Sequence, residues 1–341
     1  MSTPSLGAAG GVFEVGIGTA DPVAAIAYWQ NFGYRVGPAG TLDAAAARAL
    51  YGVDSGLRSI RLLHGSADHG LIRLMVWEKP RGPGLALEPF RRQGSLWTGQ
   101  KTLAMATLQD HAEIRAARGG AITIIPPFYT PVVPPAQVEP FASRIPGIRE
   151  MTVVQPETRQ VFLEFTDYDL PLYGIVDPHS LFRTSNFTHV CLLLQGDSAV
   201  ALDFYDRVLG LRRNSTVASS FERATGARRI FDLSAGEAYH VVDFDDPRVP
   251  DNAAPGQRRS GRLKTIRLEG KHPVPDRRDR TGPGMLGLSL FTLRVTQIDA
   301  MQAAVRGSGA TEVSAVATDE FGRRAFTARA PDGTHWTLLE V

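Results

Sequence analysis

Two stretches decide how this chain is read: "VFEVGIGTADPVAAIAYWQNFGYRV" at residues 12–36 and "FTHVCLLLQGDSAVALDFYDRVLGL" at 187–211. Each runs from an apolar strand to an aspartate (Asp21, Asp197), then through a helix-like segment to an aromatic pair and a glycine (Gly33, Gly210). The aromatic pair is Tyr28-Trp29 in one copy and Phe204-Tyr205 in the other, and Asp to second aromatic is eight residues in both. The aspartates suit helix N-caps, which accept from free backbone N–H groups. The glycines suit helix exits, where positive φ costs little without a Cβ.

The two halves also end alike. "QVFLEF" (160–165) places Glu164 where the closing "WTLLEV" (336–341) places Glu340. Glu14 to His189 is 175 residues and Glu164 to Glu340 is 176, so the repeat holds at both ends. A carboxylate at Glu340, set among Leu338, Leu339 and Val341, is therefore expected to be placed by the fold rather than left on a frayed tail. Each half divides again: "KTLAMATLQDHAEIRAARGGAITII" (101–125) and "LSLFTLRVTQIDAMQAAVRGSGATEV" (288–313) both read strand, helix, Arg-Gly turn, strand. Short strand-like runs follow each helix, so the chain reads as four βαβββ units, two per half.

The Pro-rich "FYTPVVPPAQVEPFASRIPG" (128–147) reads as an insertion in the second unit, and "DPHSLFRTSN" (177–186) as the end of a linker. A second insertion, roughly 246–284, holds "GQRRSGRLKTIRLEGKHPVPDRRDR" and reads as a solvated loop, with a lid or anion-binding edge as the alternative. The net charge of +2 gives no global field for nucleic acid or membrane. The lone Cys191, flanked by apolar residues, reads as core and rules out an internal disulfide framework. The opening "MSTPSLGAAGG" lacks the pattern of a secretory signal, so a cytoplasmic protein is expected.

Four tandem βαβββ units ending in "PDGTHWTLLEV" (331–341) resemble the vicinal oxygen chelate superfamily, which holds glyoxalases, bleomycin resistance proteins and extradiol dioxygenases. The resemblance implies an α+β fold in which units pair into two half-open curved β-barrels with helices outside. It implies one barrel in residues 1–175 and one in 176–341, with a divalent metal inside held by first and last strands. Carried onto this sequence, the C-terminal pair offers His189, His240 and Glu340 as metal ligands, with Glu340 and His240 as candidate catalytic groups. His189 to His240 and Ser289 to Glu340 are both 51 residues. Two imidazoles and a carboxylate suit Fe2+, Mn2+, Ni2+, Co2+ or Zn2+. Ser289 departs from the family's usual histidine, and Ala330 stands where dioxygenases carry a tyrosine. The N-terminal pocket would hold Glu14, Arg73, Gln100 or Lys101, and Glu164, a poor donor set that reads as a self-satisfied structural copy.

Taken singly, His189 on an apolar strand would be a satisfied core residue. His335, at the closing turn, reads as surface, His64, His69 and His111 as structural, and His179 and His272 as exposed. Trp29 and Tyr205 read as core. The resemblance thus implies a metal-dependent lyase or isomerase of the glyoxalase or epimerase type, acting on a small oxygen-rich or aromatic molecule. The alternatives are a ring-cleaving Fe2+ dioxygenase and a metal-free ligand-binding or resistance protein. The expected partner is a small-molecule substrate, with no nucleic acid and no membrane. Such barrels assemble both within and between chains, which leaves a homodimer open.

Overall fold

The computed structural model describes residues 7–132, 146–196, 199–221, 225–250, 253–254 and 257–341. The expected cap at Asp197 and the middle of the Pro-rich insertion lie outside these residues. Asp21 caps its helix as expected, its Oδ1 accepting from the Val23 and Ala24 N–H groups at 3.0 Å. Gly33 and Gly210 both take positive φ, +82° and +75°.

Unit one comprises β1 (Glu14–Gly18), α1 (Pro22–Gln30), β2 (Tyr34–Leu42), α2 (Ala44–Tyr51), β3 (Leu57–His64) and β4 (Leu71–Trp77). Unit two is β5 (Gly94–Thr102), α3 (Met105–Ala117), β6 (Thr123–Pro131), β7 (Gly147–Gln155) and β8 (Thr158–Thr166). Unit three is β9 (Thr184–Leu194), α4 (Ala199–Asp203, continued by a π-helical turn), β10 (Arg212–Ser220), α5 (Thr225–Phe231), β11 (Ala238–Asp245) and β12 (Arg262–Glu269). Unit four is β13 (Gly287–Val295), α6 (Ile298–Arg306), β14 (Ala317–Thr318), β15 (Arg324–Arg329) and β16 (His335–Glu340). No helix among the described residues is long and apolar enough to cross a membrane.

The four units form two eight-stranded sheets, in the orders β14-β15-β16-β13-β1-β4-β3-β2 and β10-β11-β12-β9-β5-β8-β7-β6. Unit one therefore pairs with unit four, and unit two with unit three. This corrects the expectation of one barrel per half: a boundary at 175/176 does not separate two barrels, because each takes one unit from either side of it. The physical reason lies in the seams. Each is an antiparallel pairing of two first strands, β1 with β13 and β5 with β9. All four units present such a strand, so the pattern of a unit does not name its partner.

Within each unit the first strand lies parallel to the last, as β1 to β4 and β9 to β12. The outer faces of both sheets, with α1, α3, α4 and α6 between them, share one apolar core that includes Trp29, Phe162, Phe187, Tyr205, Phe291 and Trp336. Two smaller clusters fill parts of the barrel interiors, one closed by α2 and one by α5. The sequence signal for α2 is "DAAAARALYG" (43–52): Asp43 caps it through the Ala46 N–H, and Gly52 ends it at φ +68°.

Candidate functional site

Side chains alternate across a strand, so each barrel interior can be read from parity. In the β1–β13 barrel, Glu14 and Arg73 face inward and are fully buried. Arg73 Nε donates to Glu14 Oε1 at 2.6 Å, and Arg61 Nε to Glu14 Oε2 at 2.6 Å. Arg73 Nη1 donates to Tyr51 Oη at 2.6 Å and to Glu320 Oε1 at 3.2 Å, while Tyr51 donates to Glu320 Oε2 at 2.9 Å. Burial alone would raise the Glu14 pKa, but the guanidinium groups of Arg73 and Arg61 offset it and hold the carboxyl below its ordinary value.

Glu320 belongs to the turn between β14 and β15, which reaches across the barrel. The Phe321 ring lies 4.0 Å from the Arg61 guanidinium carbon, and a Cβ on Gly40 would sit 1.6 Å from the Glu320 carbonyl oxygen. This barrel is plugged, and its charges satisfy one another. A self-satisfied cluster around Glu14 and Arg73 was expected, but its second carboxylate is Glu320, not Glu164. Glu164 lies in the other sheet, half-buried beside Arg149 and the first turn of α3. Gln100 and Lys101 are on β5 of that sheet too, Lys101 in an ion pair with Asp169.

The β5–β9 barrel is different. His189 faces its interior at 3% exposure, its ring packed on the backbone of Gly99, where a Cβ would come within 2.0 Å of Cε1. Trp97 Nε1 donates to His189 Nε2 at 3.2 Å. The proton is therefore on Nδ1, which has Thr188 Oγ1 at 3.1 Å and Tyr173 Oη at 3.3 Å. Burial, with Lys264 and Arg262 nearby, holds the imidazole neutral, its pKa well below the usual value.

On β12, Arg262 and Lys264 face inward with Ile266 and Leu268. Arg262 bonds Asp245 (2.6 Å) and Asp243 (3.1 Å). Lys264 Nζ has no hydrogen-bond or ion-pair partner among the described residues, and neither does the carboxyl of Glu150 on β7. Both lie inside the barrel yet are only partly buried. Burial raises the Glu150 pKa, and the Lys264 charge opposes the rise. Burial also acts against the Lys264 charge, but Asp243, Tyr173 and Cys191 raise its pKa on balance. Thr152 Oγ1, next inward on β7, is buried without a partner among the described residues. Tyr168, Tyr173 and Tyr239 surround the group, and burial pushes the Tyr168 hydroxyl up to about 12.

The three expected metal ligands do not converge. His189 and His240 are in one sheet and Glu340 is in the other. His240 lies between the inward-facing Tyr239 and Val241, so it points outward and pairs with Glu269 at 2.9 Å. It sits on β11, the third strand of its unit, because the fourth strand is β12, inside the stretch expected to be a loop. Glu340 follows Leu339, which faces the barrel, so it turns to the helical side and pairs with Arg324 at 3.2 Å. Ser289 sits at the irregularity of the β1–β13 pairing and donates to the Gly282 carbonyl at 2.6 Å. Among the described residues no three His, Cys, Asp or Glu side chains are grouped to hold a metal. Each barrel brings one ligand-type residue to the seam, Glu14 or His189, and the bonds above already occupy its donor atoms. A divalent metal does not fit this donor set.

The expectations for His64, His69 and Cys191 hold. His64 is buried and bonded to the Phe32 and Thr184 carbonyls, His69 is held by Asp68 and Ser260, and Cys191 is buried. His111, expected to be structural, is exposed with its ring against Phe182, and His335 is half-buried against Glu312. With Glu340 in a surface ion pair, Glu340→Gln should leave thermal stability unchanged within error, because exposed pairs contribute little. A clear drop in Tm would show that the carboxylate does more than this pairing.

Paired βαβββ units curled into half-barrels, joined through their first strands, define the vicinal oxygen chelate class of folds. The family model of the glyoxalase/bleomycin resistance protein/dioxygenase superfamily matches residues 187–338 of the chain. Among solved structures it is similar to glyoxalase I from Zea mays, at 12% identity, 97% of this chain, 92% of that one and a TM-score of 0.54. It is similar to a point mutant of that enzyme (13%, 97% and 92%, TM-score 0.55). It is also similar to a putative dioxygenase from Bacillus subtilis (11%, 98% and 86%, TM-score 0.54). At these identities the likeness is one of fold. No curated protein sequence matches the chain.

Proposed function

We propose that the chain binds a small polar organic molecule in the β5–β9 barrel without a metal, through the Lys264 ammonium and the Glu150 carboxyl. The observation that carries this reading is the contrast between barrels. In the plugged barrel Glu14, Arg61, Arg73 and Glu320 are all paired, whereas Lys264 and Glu150 face an interior with no hydrogen-bond partner among the described residues. Leaving a charge in a barrel unpaired costs several kcal/mol unless a ligand or water meets it. A ligand with an anionic oxygen would meet Lys264, and a flat ring would lie among Tyr168, Tyr173 and Tyr239. Glyoxalase, epimerase and ring-cleaving chemistry through a bound metal all presuppose donors that the described residues of these barrels do not assemble.

A second reading adds proton transfer to binding. Glu150, made less acidic by burial and set in the same interior as a fixed positive charge, has the features of a general acid opposite an oxyanion. Calorimetric titration with 4-hydroxybenzoate and its methyl ester tests the binding reading. The acid should bind and the ester should bind more weakly; equal affinity would remove Lys264 from the account. Recovery of a bound ligand unchanged, or converted, separates binding from catalysis.

A further inference from the structure

A cavity of about 600 Å³ opens on the reverse of the β5–β9 sheet, away from the barrel interior. That volume lies within the range of small-molecule sites. Its floor is apolar and aromatic. Phe32 and Phe162 stack at 5.7 Å with ring planes 12° apart, and Phe182 lies 4.8 Å from Phe32. Leu108 and Val153 complete the floor, and the rim is apolar too, with Ile114 and Leu181 at 49% and 45% exposure.

The charge at this rim has one sign. Arg115 and Arg118, at the end of α3, line the cavity and have no ion pair or hydrogen bond from their side chains among the described residues. Cations in a last helical turn oppose the negative end of the helix dipole, which accounts for about half an elementary charge. Two guanidinium groups exceed that, so the rim keeps a net positive charge beside an apolar floor. Tyr28 and Gln155, joined by a 3.0 Å hydrogen bond, close the inner end. They and Arg115 also border a neighbouring hollow of about 340 Å³.

We infer that this cleft is a second ligand site, for an organic anion with an apolar body: a carboxylate on an alkyl or aryl group. The carboxylate would pair with Arg115 and Arg118, and the body would cover Phe32, Phe162 and Phe182. The apolar, aromatic floor sets an amphipathic acid above inorganic phosphate as the occupant.

The test is calorimetric titration of octanoate, octanol and octylamine into the full chain, in parallel with Arg115→Gln/Arg118→Gln and Lys264→Met variants. Octanoate should bind saturably and more tightly than octanol, and octylamine should not bind. The double arginine variant should weaken octanoate about tenfold or more with its Tm unchanged, because both side chains are exposed. Lys264→Met, which lacks the barrel's ammonium, should retain the octanoate binding that depends on Arg115 and Arg118. Equal binding of octanoate and octanol, or an unaffected double variant, would overturn the inference. So would loss of binding in Lys264→Met, since the acid would then occupy the barrel.

Discussion

Arg73→Met is expected to destabilise the protein by about 3–5 kcal/mol, a fall in Tm of about 4–7 °C. Arg73 is fully buried, and its guanidinium meets Glu14, Tyr51 and Glu320 at once. Removing it leaves two buried carboxylates with only Arg61, Tyr51 and Ser59 for company. The cost comes from stranding those charges, not from losing a favourable pair. Hence Glu14→Gln/Arg73→Met should recover part of the loss, and a double-mutant cycle measures how much. The pH dependence has a definite sign. Glu14 is held below its ordinary pKa, so its contribution is complete above the ordinary carboxylate range and is lost as pH falls through the folded value. Denaturant unfolding should show stability declining on acidification, with a shallower decline in Glu14→Gln. A Tm for Arg73→Met within error of wild type would mean that the plug opens to water.

Lys264→Met should have the opposite character: little effect on folding and a large effect on ligand. Lys264 has no partner to strand among the described residues, and methionine keeps most of its apolar stem among Ile266 and Leu268. Truncating one member of a desolvated charge pair at an interface costs about 2–3 kcal/mol, so a bound aryl carboxylate should weaken roughly 30- to 150-fold. Binding of 4-hydroxybenzoate by wild type and variant measures this. Glu150→Gln provides the control. It removes a carboxyl that burial already makes less acidic, and should leave stability unchanged or raised. If Lys264→Met unfolds the protein instead, the ammonium is a structural element of the barrel.

Much of this fold is legible in the sequence, for reasons that particular residues make clear. Asp21 at an N-cap, Gly33 and Gly210 at positive φ, and the matched endings at Glu164 and Glu340 are local signals, and local structure obeys them. The pairing of units is not local. Any first strand can join any other, and the choice of β1 with β13 is made by whole faces packing around α1, α3, α4 and α6. The candidate site is hidden in the sequence for a different reason. In β12, "RLKTIRLE", the inward positions begin Arg262, Lys264, so a strand with charges facing its barrel imitates a solvated loop. Patterning rules fail where charge is placed inward, and that is where a site is found. With β12 read as a loop, His240 falls at the end of its unit and two 51-residue spacings look like register. Glu340 lies on the expected last strand, but one step of alternation puts it on the other face.

The central claim is that the β5–β9 barrel works with a fixed ammonium rather than a metal. Metal content by mass spectrometry tests it, on untagged protein loaded separately with Fe2+, Mn2+, Co2+, Ni2+ and Zn2+ and then desalted. Wild type and His189→Ala should both retain far less than one equivalent of each. One equivalent retained by the wild type and lost in His189→Ala would contradict the account.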